Sequence, residues 1–235
     1  MPEPDAQRQF VNFAFYKVDP TWRRLPPEER QRGKEEFCRT VESYQTSGRM
    51  KILSYSTVGM RPDCDFLLWR IGYALEELQN MSACLMATGL GQYLSTPHSF
   101  LAMTKRSTYI IKHVHEGQID SRGQIVPGQY KYLFVYPFVK TRAWYKMSLS
   151  ARQGMMNEHI AVGHKFPSVK LNTTYSFGLD DQEFVVAFET DQPADFLDLV
   201  MELRETEASN YTLRDTPIFT CILKSVRETI DTMGG

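Results

Sequence analysis

The stretch Trp22-Arg23-Arg24-Leu25-Pro26-Pro27-Glu28-Glu29-Arg30 has a counterpart 122 positions later, where Trp144, Met147 and Arg152 face Trp22, Leu25 and Arg30. Further along, Gly59, Leu78, Leu94, Phe100 and Lys105 recur 119 positions on, as Gly178, Leu197, Leu213, Phe219 and Lys224. One short indel reconciles the two offsets, so the chain reads as an internal duplication.

Each half carries the same order of patterns. Phe10 to Val18 and Tyr132 to Val139 are aromatic and valine-rich, which suits strands, and each precedes a long helical pattern, from about Pro27 to Tyr44 and from about Ser148 to Lys165. In the first half there follow strands near Ile52 to Val58 and Phe66 to Ile71, a helix near Ala74 to Thr88 and a strand near Ser99 to Lys105. Their counterparts are Ser168 to Phe177, Glu183 to Thr190, Ala194 to Glu205 and Ile218 to Lys224. Pro193 suits the first turn of its helix, and Asp191 is placed to cap it. The pattern is βαββαβ twice, an α+β chain with a duplicated ferredoxin-like fold of the dimeric α+β barrel type. The expected division is residues 1–115, a Gly-, Ser- and Pro-bearing linker over 116–130, and residues 131–235.

Bulk properties exclude more than they assign. The 27 basic and 28 acidic residues leave a formal net charge of -1, which gives no global attraction to nucleic acid or to an anionic membrane. Cys38, Cys64, Cys84 and Cys221 are scattered without a CxxC pair, so neither zinc nor a disulfide framework is indicated. The first residues lack a basic and apolar leader, and no run reaches transmembrane length, so a cytoplasmic protein without membrane insertion is expected. P-loop, dinucleotide-binding and HExxH signatures are absent.

Chemistry concentrates in the second half. Glu158-His159 lies near the end of a helical pattern, then Val169-Lys170-Leu171 runs on to Gly178-Leu179-Asp180-Asp181; upstream stand Tyr136-Pro137-Phe138-Val139-Lys140 and Trp144-Tyr145. Together these motifs resemble the haem-binding half of the chlorite dismutase and coproheme decarboxylase superfamily. The resemblance implies a haem cofactor, haem b or coproheme, with His159 as the axial metal ligand on a rigid helix. His164, five residues on, points elsewhere on the helix. Leu171 falls where chlorite-degrading members carry an arginine over the open haem face, and leucine has neither donor nor charge, so chlorite breakdown is not expected. Tyr136 matches the redox tyrosine of the decarboxylase branch. Lys140 and Ser209 are candidates to hold propionates, and Trp144 and Tyr145 to flank the porphyrin. Each has a plainer reading: core packing for Leu171, Trp144 and Tyr145, a strand aromatic for Tyr136 and an exposed lysine for Lys140. His113 and His115 read either as a distal proton acceptor or as linker, and Asp180 and Asp181 as a turn.

The function expected from the resemblance is peroxide-dependent oxidative decarboxylation of coproheme propionates in haem biosynthesis, by a homo-oligomer, a homopentamer by family analogy. Two alternatives stand beside it: a chlorite dismutase-like peroxidase, and a haem carrier, sensor or porphyrin-free barrel.

Overall fold

The structure, a computed structural model, describes residues 7–109 and 123–234. In chain order its elements are β1 (Phe10–Val18), α1 (Pro27–Thr46), β2 (Met50–Ser56), β3 (Phe66–Gly72), α2 (Leu75–Met86), β4 (Leu94–Met103), β5 (Tyr132–Lys140), α3 (Arg142–Lys146), α4 (Leu149–Gly163), β6 (Lys170–Tyr175), β7 (Phe184–Thr190), α5 (Pro193–Glu205), β8 (Thr212–Arg214), β9 (Phe219–Lys224) and α6 (Val226–Asp231), with short 3-10 turns between some of them. Contacts divide the chain into a first unit of Gln7–Met103 with Phe219–Gly235 and a second unit containing Thr104–Ile218. Among the described residues, no helix is long and apolar enough to cross a membrane.

In the first unit, β1 pairs antiparallel with β3 and β4, and β2 with β3, giving the order β4-β1-β3-β2. In the second, β5 pairs with β7 and β8, and β6 with β7, giving β8-β5-β7-β6. Both are the ferredoxin-like order of fourth, first, third and second strand, so the α+β fold class and its duplication stand.

The two repeats differ where their first long helices meet the sheet. In α1, Pro27 occupies the first turn and Glu28 and Glu29 complement the helix N-terminus; Gly33, Lys34, Phe37, Cys38, Val41 and Tyr44 are buried at helical spacing. They seal the core with Ala14, Tyr16, Val18, Phe66 and Leu68. Its counterpart α4 starts at Ser148, whose hydroxyl accepts the Ala151 N–H, yet it contains no fully buried residue.

Three features lie outside the sequence pattern. The fourth strand of the second repeat comes as two pieces, β8 and β9, with a cis Thr216-Pro217 bond between them. β9 pairs antiparallel with β2, Ser54 opposite Lys224, and α6 brings Val226, Ile230 and Met233 into the first unit's core. Pro193 does begin α5, but the Asp191 carboxylate accepts the Lys131 N–H instead of capping the helix. His113 and His115, with most of the expected linker, lie outside the described residues.

Candidate active site

Strand alternation and register decide which side chains share the helix-facing side of the second unit's sheet. Phe134 pairs with Phe188, Tyr136 with Val186 and Phe138 with Phe184; on the other flank Leu171 pairs with Phe188, Thr173 with Val186 and Tyr175 with Phe184. Directly opposed residues point to the same face. One face therefore carries Tyr136, Phe138, Lys140 and Leu171 together. At its centre Phe134, Tyr136, Phe188, Phe196 and Leu199 form a buried cluster, with Val162 of α4 and Phe166 packed against it. Around and beyond that cluster the face is open: Phe138 and Val186, packed at its edge, and Thr173, Tyr175 and Phe184 are only half-buried, and Leu171 is 50% exposed.

His159 lies on α4 one turn before Val162 and is half-buried. Its Nδ1 is shielded from solvent and has no hydrogen-bond partner. Burial, reinforced by the charge of Lys140, pushes the imidazole down to about 4, with Glu158 opposing the shift. At neutral pH the ring is uncharged, with a lone pair to give. Glu158 pins the same turn, its carboxylate accepting the Glu207 N–H at 3.0 Å. His164 is the exposed residue at the helix C-terminus.

Lys140 is buried, against the plainer reading of it as an exposed lysine. Its ammonium donates to the Ala208 carbonyl at 2.7 Å and stands 4.6 Å from the Trp144 ring centroid. Desolvation lowers its pKa to about 8. Trp144 itself is buried beneath it and packs on Tyr211 and Tyr109. Tyr145 donates to the Glu183 carboxylate, which also accepts the Lys140 backbone N–H at 2.8 Å, and its ring meets Phe177 edge-on. Burial, then Glu183, raises the Tyr145 phenol. Tyr136 stacks on Phe188, and burial raises its phenol well above the usual value.

His159, Lys140, Trp144 and Ala208 thus meet at one end of the open face, with Tyr136 and Leu171 on the sheet before it. Ser209 is elsewhere engaged, its hydroxyl donating to the Arg204 carbonyl at 2.6 Å. Asp180 lies in the turn that begins at Gly178, whose φ of 72° suits glycine, and accepts the Asp181 N–H. Sequence reasoning missed Glu183 and the Ala208 carbonyl. No spacing rule finds a backbone acceptor, and a lone glutamate before a strand carries no pattern.

Comparison with known proteins assigns the chain to a family. The chlorite dismutase family model matches residues 30–224. The coproheme decarboxylase of Mycolicibacterium smegmatis is 31% identical over 167 residues, 71% of this chain and 70% of that protein. The coproheme decarboxylase of Staphylococcus carnosus is 27% identical over 209 residues, 83% of each. A structure of chlorite dismutase from Candidatus Nitrospira defluvii in complex with imidazole superposes with a TM-score of 0.84 at 26% identity, covering 95% of this chain and 94% of that one. With the family model spanning most of its length and the repeated βαββαβ order in both units, the chain belongs to the chlorite dismutase family.

Proposed function

We propose that the protein is a coproheme decarboxylase-like haem enzyme, with His159 as axial ligand and Tyr136 as the redox-active side chain. The observation that carries this reading is α4, a helix that presents a neutral histidine to an aromatic sheet face while burying none of its own residues. An apolar, half-open face suits a flat macrocycle, and the orphaned, shielded Nδ1 leaves the opposite ring nitrogen to bind iron. The relatives' shared decarboxylase activity supports the same substrate class.

When bound, the iron porphyrin supplies the oxidising chemistry from peroxide. Each propionate converted to vinyl releases one carbon dioxide and two electrons, and one peroxide takes these up with protons to give two waters. Tyr136, held protonated by its burial, has a hydroxyl hydrogen that it would first give up to the oxidising group and then regain from the propionate β-carbon. Lys140 keeps ammonium hydrogens beyond its bond to Ala208 and, charged below about pH 8, holds a carboxylate. Leu171 leaves its side of the face without a cation to hold chlorite. Assembly as a homopentamer belongs to the same proposal, supported by the exposed Leu197, Met201 and Leu213 of the second unit. Four free cysteines favour a reducing, cytoplasmic setting.

The test is an optical titration of the apo-protein with coproheme and with haem b, then peroxide addition and mass spectrometry of the porphyrin. Wild type is expected to give a Soret band and successive losses of carbon dioxide from coproheme. His159→Ala loses the band; Tyr136→Phe keeps it and loses conversion by at least about a hundredfold, the scale of one positioned proton-transfer group. Tight binding without conversion in wild type replaces this reading with a peroxidase or carrier.

A further inference from the structure

The helix-facing side of the first unit's sheet is sealed by α1 over part of its area, but beneath α2 it holds a cavity of about 130 Å³. The cavity is the size of one that accepts a ligand of roughly six heavy atoms. Arg70 of β3, 4% exposed, reaches into it. Its position is set by the register that opposes it to Asn12, as Phe188 opposes Phe134 in the other repeat. Where the second repeat has an aromatic side chain, the first has a guanidinium.

Every partner of that guanidinium is neutral. Nε and Nη2 donate to Asn12 Oδ1 at 3.2 and 2.7 Å, and Nη1 donates to Ser82 Oγ at 2.8 Å and to the Leu78 carbonyl at 3.3 Å. One N–H of Nη2 is left over. Arg remains cationic at any ordinary pH, and a buried cation without a counter-charge is costly. Around the same cavity stand the hydroxyls of Tyr16, Thr96 and Ser99, and no acidic side chain lines it. Tyr16, 7% exposed, brings its hydroxyl to the same cavity as the Arg70 guanidinium.

We infer that this cavity is a binding site for a small oxyanion, held by Arg70 and Tyr16, with Ser82 beside the guanidinium and the exposed Thr96 and Ser99 at its mouth. Charge-assisted bonds from a guanidinium and a phenol to one oxyanion supply the missing counter-charge. The site lies wholly in the first unit and does not depend on the porphyrin reading. The duplication has then left both repeats with a pocket on the same sheet face, one aromatic and one cationic.

Calorimetric titration of the full chain with sodium phosphate and with sodium acetate, at constant ionic strength in chloride, tests this. Saturable binding of at least one anion at millimolar concentration is expected. Binding should weaken about fivefold in Tyr16→Phe, which loses one hydrogen bond, and vanish in Arg70→Met. Should Arg70→Met fail to fold, Ser82→Leu, which fills the cavity from α2, must abolish binding in its place. A response to phosphate alone identifies a tetrahedral anion, and a response to acetate identifies a carboxylate ligand. Absence of saturable binding in wild type, or equal binding in Tyr16→Phe and Ser82→Leu, overturns the inference.

Discussion

His159 refuses a proton that the unfolded chain accepts. With its pKa lowered from 6.5 to about 4, it contributes stability that is complete above pH 6.5 and is lost as pH falls towards 4. The loss amounts to no more than about 3 kcal/mol, since the ring is part-exposed. Urea denaturation between pH 7 and 4 should show this slope in wild type and a shallower one in His159→Leu. Lys140 acts in the other direction along the pH axis: its hold on a carboxylate fades as pH rises through about 8, so weaker coproheme binding is expected above that value, read from the same optical titration. Glu183 joins two groups, the Tyr145 hydroxyl and the Lys140 N–H. Glu183→Ala leaves the buried Lys140 N–H and the half-buried Tyr145 hydroxyl without this acceptor and should cost about 1–3 kcal/mol in the same denaturation assay. That Tyr136 and Lys140 share a strand and that His159 lies on the helix after it was legible in the sequence, because the aromatic strand run and the helical pattern carry them. The burial of Lys140 was not legible, because it depends on Ala208 and Trp144, residues distant or unmarked in the pattern.

At the scale of elements, α1 and α4 hold corresponding places in the two repeats but are buried differently. The six buried residues of α1 hold it to its sheet. In α4, Gly154 and Gly163 lower helix propensity and no side chain is fully buried; Val162 packs on the sheet cluster, Glu158 accepts the Glu207 N–H and Gln153 donates to the Tyr109 carbonyl. Amide hydrogen exchange should be markedly faster in α4 than in α1 in the apo-protein, with α4 slowing selectively on porphyrin addition. Equal protection in the two helices would contradict this account. Helix positions were readable from apolar periodicity, and the strands from aromatic and β-branched runs. β8 is too short to announce itself, and α6 lies beyond the repeat, so no internal counterpart marks it.

For the whole molecule, the duplication was readable because its spacing survives in scattered residues such as Trp22 and Trp144. The partner of the last strand was not, since strand pairing at long range leaves no local trace. Removal of residues 219–235 should destabilise the first unit: β2 loses its β9 neighbour, Ser54 loses the Thr229 hydroxyl at 2.7 Å, and the buried Lys34 ammonium loses the Asp231 carboxylate at 3.1 Å. A midpoint lower than wild type by several degrees, with proteolysis appearing first within residues 7–103, is the expected result.

That return of β9 and α6 has a consequence in time. A ribosome releases Gln7–Met103 early, but the pieces that complete their core, Val226, Ile230 and Met233, come after the entire second repeat. At synthesis rates of roughly 5–20 residues per second, the wait lasts on the order of ten seconds. The half of the protein that is made first is therefore the half that is finished last, and its exposed β2 edge makes nascent chains a natural client for chaperones during that interval.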